Sequence, residues 1–187
     1  MAIETPKFEI LQKDGKFEIR KYQEYTIASV EIESDFKHAL IEGFRILADY
    51  IFGDNRAKTG IEMTVPVTEQ VVTGQKIGMT APVIAARAGE GAKYLISFTM
   101  PSKYNVQNLP EPVNKNISFV TVAPHKAAAL RFSGYMNEKT TVGKTKELEA
   151  WLNKNNLRTK SGFSLAQYNP PWIPGPFRKN EIIVDVE

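Results

Sequence analysis

The side chains of this chain best suited to ligation or acid-base work are a methionine pair, two histidines and a few cations. "IEMTVPV" at Ile61–Val67 and "IGMTAPV" at Ile77–Val83 repeat Met-Thr-x-Pro-Val sixteen residues apart, from Met63 to Met79. A thioether can ligate haem iron, usually with a histidine supplied from elsewhere. The only histidines are His38 and His125. There is no cysteine, which excludes disulfides, thiolate metal sites and cysteine nucleophiles. The sequence has no glycine-rich phosphate loop, no His-Glu-x-x-His and no cluster of histidines and carboxylates at metal spacing. With two histidines, one on the polar strip of a helix and one in a turn, a serine triad has no natural host. No other catalytic arrangement stands out among these residues.

The elements that must position these residues follow one plan, written twice. "KFEIRKY" (Lys16–Tyr22) and "TIASVEIE" (Thr26–Glu33) alternate apolar and polar residues and lead into a helix near Asp35–Phe52. "ISFVTVA" (Ile117–Ala123) and "AAALRFSGY" (Ala127–Tyr135) do the same before a helix near Thr141–Asn155. Ser34 is placed to cap the first helix and Gly53 to end it, and Thr140 or Thr141 to cap the second. Strand-like runs at Ile61–Thr68, Lys76–Ala85 and Tyr94–Met100 follow the first helix. Phe163–Tyr168 and Glu181–Val186 follow the second. The expectation is an α+β duplication of β-β-α-β-β units on an antiparallel sheet. It would form one domain over residues 1–187, with pseudo-repeats at about 7–100 and 113–187 joined by a linker at Pro101–Pro112.

Within that plan the repeated motif becomes architecture. Ile61, Met63, Val65 and Val67 would share one strand face, as would Ile77, Met79, Ala81 and Val83. Pro66 and Pro82 then point the other way, at an edge or bulge. Both methionines are read as core packing rather than as ligands. The first helix is more informative. Its core stripe is Phe36, Ala39, Leu40, Gly43, Phe44, Leu47 and Ile51, and Ile41, Ala48 and Phe52 carry the apolar arc around one flank. A surface helix needs an apolar arc of about 100°, and this one is about twice as wide. Surplus apolar surface either packs under another loop or is left for a flat ligand, and Lys37 and Arg45 border it. In the C-terminal "PPWIPGPF", Trp172 and Ile173 lie in a stiff proline-rich loop suited to packing on the sheet or rimming a site.

Several stretches together resemble the SOUL haem-binding protein family: the two Met-Thr-x-Pro-Val copies, "FEIRKY", "TMPSKY" at Thr99–Tyr104, "AALRFSG" at Ala128–Gly134, and "YNPPWIPGPFRKNEIIV" at Tyr168–Val184. The similarity runs in order over nearly the whole chain. It implies a twisted antiparallel, barrel-like sheet flanked by two helices, a fold shared with bacterial effector-binding domains. It also implies reversible binding of haem or a related tetrapyrrole against the first helix, with no catalytic step. The site expected on this basis comprises Lys37, Ile41, Phe44, Arg45, Ala48, Phe52, Trp172 and Ile173. The chain departs from other family members at the cations it would inherit. Ile41, Asp49 and Ile173 stand where basic residues occur, and Lys21 stands where one branch has a histidine implicated in iron ligation. Haem would therefore be held by apolar contact, with weak or no axial ligation by the protein. The alternative is a small-molecule effector-binding or interaction module that keeps the fold without haem. Buried glutamates would serve such a module; Glu62 is a weak candidate.

Composition bounds the partners. A net charge of +3 is spread along the chain, whereas nucleic-acid binding requires clustered Lys and Arg, so no nucleic acid is expected. No apolar run approaches the roughly 20 residues that span a bilayer. "MAIETPKFEI" lacks the basic stretch and apolar core of a secretory signal, so a cytoplasmic protein is expected.

Overall fold

Alternation of apolar and polar residues builds one sheet with a helix-covered face and a face left open among the described residues. In the computed structural model, residues 4–71, 92–169 and 173–187 are described. The strands are β1 (Phe8–Asp14), β2 (Phe17–Tyr22), β3 (Tyr25–Ser34), β4 (Val67–Val71), β5 (Ala92–Thr99), β6 (Ser118–Val122), β7 (His125–Phe132), β8 (Ser164–Gln167) and β9 (Asn180–Asp185), and the helices are α1 (Phe36–Ile51) and α2 (Glu138–Lys154). Every pairing is antiparallel, in the order β1-β2-β7-β9-β8-β4-β5-β3-β6. The protein is thus α+β, with nine strands among the described residues. The barrel expectation is corrected: β1 and β6 end the sheet, which is open.

Helix α1 packs on β3 and β5, and α2 on β7 and β9. Leu47 and Ile51 of α1 pack on Val30, Ile32, Ile96 and Phe98, and Leu148 and Leu152 of α2 on Leu130, Leu165, Ile182 and Val184. Gly43 lets α1 sit hard against β5. A Cβ built there would come within 2.7 Å of the Ile96 Cβ. Trp151 joins α2 to the β1–β2 hairpin, stacking on Phe17 at 5.0 Å and donating Nε1–H to Asp14 at 2.8 Å.

Local chemistry corrects several boundaries. Asp35, not Ser34, caps α1: its carboxylate accepts the Lys37 and His38 N–H groups at 3.0 and 3.1 Å, while Ser34 is still paired in β3 with Ala92. Asn137 caps α2 by accepting the Thr140 N–H at 2.8 Å, and Thr141 is already helical. Residues 61–66 are not strand. Their donors go elsewhere, Ile61 N–H to Ile51 O at 2.6 Å and Val65 N–H to Glu4 O at 3.1 Å, and the Val65–Pro66 bond is cis. Met63 still packs against the α1 core, as expected of it. The second motif copy, Ile77–Val83, lies outside the described residues. The Pro101–Pro112 segment is docked rather than loose: Tyr50 donates to Pro110 O at 2.8 Å, Arg56 N–H to Glu111 O at 2.9 Å, and Leu109 is buried.

Candidate ligand-binding site

The expected site residues separate by depth. Ile41 is 57% exposed and Phe52 71%, with Lys37 and Arg45 in solvent beside them. On a helix, Ile41 and Phe52 share a strip about 16 Å long, and Lys37 and Arg45 flank it. Neither cation has a carboxylate partner among the described residues. Phe44 turns inward, edge-on to Phe98 at 5.3 Å, and Ala48 is buried in the α1 core. Both leave the list of surface contacts, because the sheet already covers them. Trp172 lies outside the described residues. Ile173 is half-buried in the β8–β9 loop, where its carbonyl accepts the Arg178 Nε–H at 2.7 Å. The structure therefore brings together Lys37, Ile41, Arg45 and Phe52.

Haem is an apolar plate with two carboxylates, so the residues present can be tested against it. The strip offers exposed apolar area and two unpaired cations, which fits the periphery of the group. It offers no built axial ligand. His38 Nδ1 is engaged by the Asp35 carboxylate, and among the described residues no set of three His, Asp or Glu could hold a metal ion. His125 is no turn residue either. It opens β7, stacks on Tyr22 at 5.2 Å and approaches Asp185 Oδ1 with Nε2 at 3.5 Å.

The opposite face of the sheet holds what the sequence did not reveal. A groove of about 420 Å³ runs across it. Arg131, Tyr168 and Glu181 line it and belong to an ion-pair network centred on Arg20, whose side chain is 1% exposed. Arg20 donates Nη1–H and Nη2–H to the two Glu181 oxygens at 2.8 and 2.7 Å, and Nε–H and Nη2–H to Glu18 Oε2 at 2.9 and 2.7 Å. Arg131 Nη1–H reaches Glu18 Oε1 at 3.1 Å, and Tyr168 donates to Glu181 Oε2 at 2.6 Å. Burial works against the Glu18 carboxylate, but the Arg20 and Arg131 guanidiniums outweigh it and hold its pKa below the usual range. Burial likewise opposes charge on Arg20, and Glu181 and Tyr22 reverse that and raise its pKa. Period two in "FEIRKY" does put Glu18, Arg20 and Tyr22 on one face. What was missing is that β7 and β9, distant in sequence, bring Arg131 and Glu181 to the same place.

Two further glutamates complete the inventory. Glu62 is exposed and paired with Lys103 at 3.3 Å, which corrects its candidacy as a buried acid. Glu69 is the buried one. It lies on the helix side of β4, beside a cavity of about 20 Å³, and neither carboxylate oxygen has a partner. Desolvation pushes its pKa up to about 8.

The family model described as SOUL heme-binding protein matches residues 3–75 and 70–185. No curated protein matches in sequence. Solved structures share the fold at low identity. A hydrolase from Listeria innocua is 10% identical, with TM-score 0.59, over 95% of this chain and 94% of its own. The C-terminal domain of EcmrR is 12% identical, with TM-score 0.62, over 91% and 96%. SAV2435, bound to tetraphenylphosphonium, is 13% identical, with TM-score 0.51, over 91% and 93%.

Proposed function

Since the chain belongs to the SOUL haem-binding protein family, we propose that it binds haem or a related tetrapyrrole reversibly on the exposed strip of α1, as a carrier or buffer without a chemical step. The observation that carries this reading is the pair Ile41 and Phe52, two large apolar side chains left in water between two uncompensated cations. Apolar contact supplies most of the affinity, since full burial of a side chain of this size contributes about 1.5–3 kcal/mol. An exposed pair between Lys37 or Arg45 and a propionate adds only about 0–1 kcal/mol. Axial ligation by protein plays no part.

Haemin titration followed by absorbance tests the reading. A saturable Soret shift near micromolar haemin supports it. Non-saturating uptake like that of an unrelated protein would leave a small-molecule module without haem. Ile41→Asp weakens binding far more than Arg45→Ala, because it sets a carboxylate against the plate and repels the propionates. His38→Ala and His125→Ala leave the bound spectrum in place. A histidine variant that abolishes that spectrum, with Ile41→Asp unaffected, would overturn the site.

We propose also that residues 1–187 form one domain of two β-β-α-β-β pseudo-repeats. The pairings support it: β3 pairs with β5 and β6 as β7 pairs with β9 and β2, and β4 meets β8 between the halves.

A further inference from the structure

We infer that the groove on the open sheet face is a second binding site, separate from the α1 strip, and that it takes a small aromatic organic anion. Its volume of about 420 Å³ falls within the range of small-molecule sites. Three observations fix the class.

The first is which charges are already spent. Glu18 and Glu181 look like an invitation to a cation, but each is consumed by two guanidiniums and Glu181 also by the Tyr168 hydroxyl. A cationic ligand would have to break a buried ion pair, at a cost that an exposed contact cannot return. The second is which charges are not spent. Arg131 is tethered through Nη1 to Glu18 and through Nε, at 3.3 Å, to Glu181, which aims its guanidinium while half of its side chain stays in solvent. Its Nη2 has no partner among the described residues. Lys179, also on the groove wall, is exposed and has no ion pair among them. A held guanidinium beside a free ammonium recognises a carboxylate or sulfonate.

The third is what lies at the far end. Asp185 stands opposite Ala127 and Glu181 opposite Arg131, four residues apart on each strand, or about 13 Å. At the Asp185 end Tyr22, Tyr25 and His125 form a ring cluster with centroids 5.2–6.2 Å apart. Asp185 is the one acidic residue lining that end among the described residues, and His125 Nε2 faces it at 3.5 Å. A ligand with its anion at Arg131 and Lys179 and a flat apolar body directed toward the rings matches both ends.

The probes are anilinonaphthalene sulfonate, an aromatic anion, and tetraphenylphosphonium, an aromatic cation of comparable bulk, each titrated into the full chain. The sulfonate is expected to bind saturably, at least about tenfold tighter than the phosphonium. It should shift the backbone amides of Thr68, Ser97 and Tyr168 in a nitrogen-labelled sample. Lys179→Glu, an exposed change compatible with folding, is expected to weaken the sulfonate about tenfold by reversing one charge. Ile41→Asp, on the other face, is expected to leave the sulfonate affinity unchanged. The inference is overturned if tetraphenylphosphonium binds as tightly as the sulfonate, if Lys179→Glu leaves the sulfonate affinity intact, if the shifts fall on α1, or if neither probe saturates. Haemin binding at α1 is a separate result that none of these outcomes decides.

Discussion

A buried carboxyl with no hydrogen-bond partner is expensive when charged, and Glu69 avoids the charge by staying protonated. Its pKa near 8 in the folded chain stands above the ordinary 4.5 of the unfolded one. The folded state therefore holds one more proton between those values. Glu69 contributes its full stability below about pH 4.5, and loses it as pH rises toward 8, by about 1.4 kcal/mol per pH unit. Glu69→Gln keeps the shape and removes the titration. Urea unfolding across this window should show the parent losing stability relative to the Gln variant with rising pH. Parallel pH profiles would refute the assignment. Nothing in "VTEQV" announced this residue, since the cavity beside it is walled by Phe36 of α1 and Thr141 and Thr145 of α2, which no local pattern brings to β4.

At the scale of elements, α1 was legible and its neighbours less so. The 3.6-residue period gave its core stripe and its surplus flank, because both depend on the helix alone. Which flank residues stay exposed depends on the sheet, so Ala48 is buried while Ile41 and Phe52 stay in water. The caps missed by a residue or more because Ser, Thr, Asp and Asn all qualify chemically, and the strand end decides among them. Residues 61–66 failed as a strand because their donors had better acceptors in α1 and the N-terminal segment. The contact between α1 and β5 is close enough to predict a cost. Gly43→Ala pushes a methyl into Ile96 and should lower stability by about 1–3 kcal/mol, despite the better helix propensity of alanine. A melting temperature equal to or above the parent's would show that the interface relaxes freely.

For the whole molecule, the order of strand runs and helices was legible, but not how the strands before and after residues 101–112 interlock. Strand β2 pairs with β7 and β3 with β6, so each half completes its sheet on strands of the other. Residues 7–100 and 113–187 expressed apart should each lack a cooperative thermal transition, and co-expression should restore one. Two fragments that melt cooperatively on their own would defeat the single-domain proposal. The groove network was illegible for the same reason, since Arg20 and Glu181 meet only across this pairing.

That network also acts on the folding search itself. A slip of β2 by one residue against β7 would exchange its two faces. Glu18, Arg20 and Tyr22 would enter the apolar layer beneath α2, and Ile19 would turn toward the groove. Glu18 and Arg20 would keep each other but lose Arg131 and Glu181, and Glu181 would lose Arg20, which makes that misregistered sheet far less stable than a slip between purely apolar strands would be. The ion pairs thus discriminate among competing alignments of a long antiparallel sheet, whatever small net stability they add to the correct one.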